Sequence, residues 1–155
     1  MGALVAALLS TAAVAAPEPG AWLWPGSTPR QVTEAYREPA HEYGPGHRGI
    51  DVAADRAVRA PADGVIVFSG AVADRPLVTI DHGSGLVITL EPVRSELRPG
   101  DAVRAGDPVG KLSVGGHTAP GRLHIGVRSH GEYIDPLPLF GRIPAAVLLP
   151  CCEPL

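Results

Sequence analysis

Six histidines punctuate this chain: His41, His47, His82, His117, His124 and His130. Neutral imidazole is a common metal ligand, and a carboxylate beside it completes a donor set that suits zinc. The pair placed to do this is His47 and Asp51, in the run His47-Arg48-Gly49-Ile50-Asp51. His47 follows the loop Gly44-Pro45-Gly46, and Asp51 sits inside the next apolar stretch, so a bend at Gly49 turns both side chains toward one point. A catalytic zinc takes three protein ligands and keeps one position open for water. His124 lies far downstream on another apolar stretch, and only the fold can bring it to the first two. Taken alone, His-x-x-x-Asp also describes a loop histidine capping a turn beside an aspartate that binds backbone amides.

The elements that would hold these residues read as short strands. The chain has 155 residues, enough for one domain with one modest core, and carries 19 Gly and 17 Pro against 19% charged residues. Such punctuation fits strands joined by tight turns better than a helical bundle. Apolar or β-branched runs fall at residues 50–53, 57–60, 64–70, 77–81, 86–90, 103–105, 108–112, 123–127 and 132–134. His82-Gly83-Ser84-Gly85 reads as a hairpin turn, with Gly106-Asp107 and Ser129-His130-Gly131 as further turns. No helical period intervenes between strands, so the fold class is all-β, an antiparallel sandwich or hybrid barrel. Residues 31–36 read as a short turn of helix, and Trp22 and Trp24 as anchors pinning the N-terminal approach onto the sheet. Residues 57–66 resemble residues 102–111, as expected of a barrel built from related halves.

Charge and the chain ends narrow the setting. A net charge of -3 offers no basic face for nucleic acid. Residues 4–16 are small and apolar, too short a run to cross a bilayer, and they contain Ala13-Val14-Ala15, a small-x-small cleavage pattern. Residues 1–15 therefore read as a secretory signal, although Lys and Arg are missing near Met1. The remaining division is an N-terminal lead-in over 16–42, the main domain over 43–141 and a tail over 142–155. The expected product is a monomer that spans no membrane once the signal is removed. Cys151 and Cys152 are adjacent in the tail; neighbouring cysteines rarely bond to each other, so the core has to hold without a disulfide framework.

Several passages in order carry a resemblance to a known family. Gly44-Pro45-Gly46-His47-Arg48-Gly49-Ile50-Asp51, followed by Val58-Arg59-Ala60-Pro61-Ala62-Asp63-Gly64-Val65, looks like the opening of the lysostaphin/LytM-type cell-wall peptidase domain. So do Val78-Thr79-Ile80-Asp81-His82-Gly83-Ser84-Gly85-Leu86, the passage from Leu97-Arg98-Pro99-Gly100-Asp101 through Pro108-Val109-Gly110, and Leu123-His124-Ile125-Gly126-Val127-Arg128. Tyr133-Ile134-Asp135-Pro136-Leu137 resembles the family's closing motif. The resemblance implies Zn2+ held by His47, Asp51 and His124, where it polarises the scissile carbonyl and activates water. It also implies peptide cross-links of bacterial peptidoglycan as the substrate, and a place outside the cell or in the envelope of a bacterium.

The chain departs from the family at two places. The family closes its site with His-x-His, and the first of that pair is Arg122 here. A second auxiliary histidine of the family falls on Pro92. Guanidinium stays protonated, so Arg122 cannot be a base, though it can stabilise an oxyanion or hold a carboxylate. His117, in the loop before the last ligand strand, and Glu91, beside the lost histidine, are the candidates for proton transfer. His82 reads as structural within its turn, and His41 and His130 as surface loop residues.

Two functions follow. One is an exported zinc metallopeptidase acting on peptidoglycan cross-links, with an altered acid–base set. The other is a catalytically impaired zinc-binding module that binds wall peptides or regulates another wall hydrolase. A phosphocarrier or biotinyl-type carrier of similar barrel shape fits less well, because it needs a reactive His or Lys on an exposed turn and the one lysine, Lys111, falls in a strand.

Overall fold

The computed structural model of the protein describes residues 21–141, apart from residues 28, 42, 43, 117 and 118. The expected signal, the cysteine pair and His117 lie outside the described residues. Among those described, the chain forms β1 (Val32–Glu34), β2 (Ile50–Ala53), β3 (Ala57–Arg59), β4 (Gly64–Val72), β5 (Arg75–Asp81) and β6 (Leu86–Glu91). It continues with β7 (Val93–Arg94), β8 (Ala102–Val103), β9 (Pro108–Leu112), β10 (Arg122–Ser129), β11 (Glu132–Ile134) and a 3-10 turn over Leu137–Phe140.

Alternation along the strands explains the layering. In β10, Leu123, Ile125 and Val127 are fully buried, while Arg122, His124, Gly126 and Arg128 fall on the opposite face. β6 buries Leu86, Ile88 and Leu90, β5 buries Val78 and Ile80, and β2 buries Ile50 and Val52. These side chains form one core, and their removal from water supplies its main stabilisation. The other face of the same strands carries Asp51, Thr79, Thr89, Glu91 and His124.

The strands make two antiparallel sheets. The larger runs β1-β2-β10-β6-β5-β4-β8, with β11 pairing the far end of the β10 edge that β2 occupies first. The smaller runs β3-β9-β7. The all-β antiparallel expectation holds. The resemblance between residues 57–66 and 102–111 also acquires a physical form: the first strand of each copy pairs with the second strand of the other, β3 with β9 and β4 with β8. The exchange is tied by Ala60 N–H donating to Asp107 O at 2.8 Å and Ile66 N–H donating to Asp101 O at 2.9 Å.

One element differs from expectation. Residues 31–36 contain strand β1, not a turn of helix: Val32 and Thr33 are β-branched, and β2 offers a free edge that Val32 pairs with at Val52. β7, two residues long, was too short to leave a period in the sequence. The tryptophans close the domain where the first and last described segments meet. Trp22 is 1% exposed, packs edge-on to Phe140 at 5.8 Å, and donates its backbone N–H to Leu139 O at 3.0 Å.

Candidate metal centre

Strand register builds the site. His124 on β10 lies opposite Asp51 on β2 and opposite Glu91 on β6, and Glu34 on β1 lies opposite Asp51. One row across four strands therefore reads Glu34, Asp51, His124, Glu91, with neighbouring Cα atoms about 5 Å apart. His47 joins from the loop before β2, where an isolated antiparallel bridge to Arg37 fixes its backbone through bonds of 3.0 and 2.8 Å. Gly49 makes the approach possible. A Cβ at that position would collide with the carbonyl oxygen of Ile125 and stand 2.8 Å from the His124 ring.

The three side chains are buried, at 6% exposure for His47, 3% for Asp51 and 8% for His124. His47 Nε2 is 3.2 Å from Asp51 Oδ1, and His124 Nδ1 is 2.8 Å from the same oxygen. His47 Nδ1 donates to the carbonyl of Ala35 at 2.9 Å. A carbonyl only accepts, so Nδ1 carries the hydrogen, and Nε2 is the nitrogen turned toward the carboxylate. Tetrahedral ligands about 2.1 Å from zinc stand about 3.4 Å apart. The candidate ligand atoms here all lie within 4.8 Å of one another, so the donor set fits such an ion with small adjustments.

A cavity of about 640 Å³ opens over this face, lined by His47, His124, Glu91, Arg48, Arg75 and Arg128 among others. Glu91 is 7% exposed, and Arg75 Nη1 donates to its Oε1 at 3.5 Å. Of the candidate proton-transfer residues, Glu91 thus reaches the same cavity as the trio, while His117 lies outside the described residues. Arg122 shares the site face of β10 but is not among the residues lining the cavity, because it sits on the far side of His124 from Gly126. Pro92, where a family histidine is absent, is buried where the chain leaves β6 for β7. His41 and His130 are exposed, and His82 is buried against Trp22, off the lining of the cavity that His47 and His124 share.

Sequence reasoning missed the guanidinium wall of Arg48, Arg75 and Arg128. Arg128 was legible in principle, since it lies an even number of residues after His124 on one strand. Arg75 left no such signal, because β5 comes beside the site only through its pairing with β6.

Known proteins can now be set beside this geometry. An uncharacterized protein of Mycobacterium tuberculosis (strain ATCC 25618 / H37Rv) is 35% identical over 129 residues, covering 78% of this chain and 52% of that protein. The chain thus spans about half the length of the curated relatives it matches. A zinc-containing peptidase from Vibrio cholerae superposes with a TM-score of 0.62 at 16% identity, covering 81% of this chain and 41% of that one. Lysostaphin superposes with a TM-score of 0.60 at 19% identity, covering 80% and 57%. These two likenesses establish a shared fold. The model of peptidase family M23 matches residues 45–136, more than half of the chain and a span that holds His47, Asp51, Glu91 and His124. On that match, carried by the motifs that shape the site, the chain belongs to peptidase family M23.

Proposed function

We propose that this domain is an exported zinc metallopeptidase that cleaves peptide cross-links of bacterial peptidoglycan, with the metal held by His47, Asp51 and His124. The observation that carries the reading is the buried convergence of two imidazoles on one carboxylate oxygen, beneath an open cavity. The zinc-containing neighbour supports the choice of ion. The cleavage pattern Ala13-Val14-Ala15 within the apolar run 4–16 supports export to the cell envelope.

A bound zinc supplies polarisation of the scissile carbonyl and a lowered pKa for water. The chain's own groups do the rest. Ala35 O holds the His47 ring in one tautomer, so that Nε2 faces the site. Glu91, in register with His124, accepts a hydrogen bond from the attacking water and then its proton, and Arg75 keeps that carboxylate aimed at the cavity. His117 is the second candidate for proton transfer to the leaving nitrogen. Arg122 stays protonated and lies off the cavity lining, so it takes no part in the proton transfers.

The positions of Pro92 and Arg122 favour a second reading, a zinc-binding module that recognises wall peptides without cutting them. One experiment separates the two. The purified protein is analysed for metal and incubated with peptidoglycan fragments, and released peptides are followed by mass spectrometry. Turnover that disappears with chelator and with Asp51→Ala supports the peptidase. Stoichiometric zinc with no released peptide overturns it in favour of the binding module.

A further inference from the structure

Three guanidinium groups border the cavity, and they are held differently. Arg75 bonds Glu91, and Arg48 Nη2 donates to Gly44 O at 3.3 Å. Arg128 Nη2 donates to the Tyr133 hydroxyl at 2.7 Å, and its guanidinium carbon lies 4.5 Å from the centroid of the same ring. Tyr133 is held in turn by the Tyr36 hydroxyl, which donates to its carbonyl at 3.1 Å. Stacking and hydrogen bonding together fix the plane of the Arg128 fork. Among the described residues no carboxylate forms an ion pair with it, although Glu38 and Glu132 line the adjoining cavity. Arg128 lines both cavities, the one over the metal trio and the one beyond it.

Arg128 and His124 share one face of β10. At 3.3 Å per residue, their Cα atoms are about 13 Å apart. Gly126 lies between them on that face, outside the left-handed region that favours glycine. A Cβ there would stand 3.3 Å from Arg48 O, 3.6 Å from His124 Nε2 and 3.7 Å from the Tyr133 ring. The glycine therefore serves space rather than backbone conformation. It leaves a floor running from the metal trio to the fixed guanidinium. An extended peptide covers the same distance in about four residues.

We infer that Arg128 is a substrate-specificity residue: it anchors a free carboxylate on the peptide about four residues from the bond presented to His47, Asp51 and His124. The inference rests on the peptidase reading and names its substrate class, peptides carrying an acidic side chain or a free carboxyl terminus.

The test uses short end-blocked alanine–glycine peptides with one Glu moved position by position, each compared with its Gln counterpart. Binding is titrated by NMR, and cleavage by the zinc-loaded protein is read by mass spectrometry. The Glu peptides are expected to bind about fivefold more tightly, the size of a well-placed exposed ion pair. The cut is expected to stay about four residues from Glu and to move with it. Arg128→Gln should erase the Glu preference and Arg128→Lys should keep part of it, both with unchanged zinc content. Arg128→Glu should turn the preference toward peptides carrying Lys. Equal binding of Glu and Gln peptides, or a preference that survives Arg128→Gln, overturns the anchor. Glu-selective binding without cleavage keeps the anchor and sinks the peptidase reading; cleavage without Glu selectivity does the reverse.

Discussion

His124 and His82 are buried to nearly the same degree, at 8% and 5% exposure, and they teach opposite lessons. His124 stands on the polar face of the large sheet, with Asp51 and Glu91 on the strands to either side. His82 stands beside the first described segment, with Trp22 against its ring at 4.6 Å. Its Nδ1 donates to Asp63 O at 2.8 Å, while Nε2 has no partner among the described residues. Burial lowers the pKa of His82, against the opposing pull of the Asp63 carbonyl and of the Asp81 and Asp63 charges. The residue type and the burial match; what differs is the chemistry of the neighbours. Carboxylates on both neighbouring strands suit one imidazole to hold a cation, whereas burial against Trp22 disfavours the charged form of the other.

Changes aimed at one region should leave the other untouched. The largest effect is expected from Asp51→Ala, which removes the oxygen both imidazoles share. Metal analysis should show zinc affinity down by more than about 100-fold, beyond the range for losing an outer-shell partner, and turnover lost with it. Retained zinc would break the comparison. Trp22→Ala should instead destabilise the fold by about 3–5 kcal/mol in urea titrations, the usual range for a buried large aromatic. Its zinc affinity should stay at the parent value wherever the protein remains folded.

Within the site, Glu91→Gln keeps shape and removes the proton acceptor. Turnover should fall by about 100-fold, the lower range for general acid–base catalysis, while zinc content stays constant. Arg122→Gln should change turnover by less than about threefold, as a half-buried charge off the cavity lining does. Equal losses in the two variants would remove Glu91 from its role.

The smallest effect concerns pH. The folded pKa of His82 lies below the ordinary value of 6.5, so between the two values the unfolded chain binds the proton and the folded chain does not. Stability from this residue is therefore full above pH 6.5 and declines as pH falls toward the folded pKa. His82→Phe should flatten that slope, which cannot exceed about 1.4 kcal/mol per pH unit. An unchanged slope in urea titrations across the range would remove His82 from the account.

Much of the fold was legible because buried strands announce themselves by period. The runs at 50–53, 108–112 and 132–134 coincide with β2, β9 and β11, since an apolar face in each must meet the core. β1 was misread because its pairing partner lies outside its own sequence: β2's edge, not local propensity, makes Val32 and Thr33 extended. The guanidinium wall was missed for a related reason. Arg48, Arg75 and Arg128 come from a loop and two strands, and nothing local links them.

By itself, the sequence determined most of the strands and the family resemblance, and that resemblance implied His47, Asp51 and His124 as a donor set. Spacing and residue type carry the strands, because alternation and turn chemistry act over a few residues. Tertiary structure decided which donors share an oxygen, that Glu91 reaches their cavity while Arg122 stays off its lining, and that Gly126 and Arg128 line that same cavity. Those outcomes depend on register between strands distant in the chain, and register is set by the packing of the whole core.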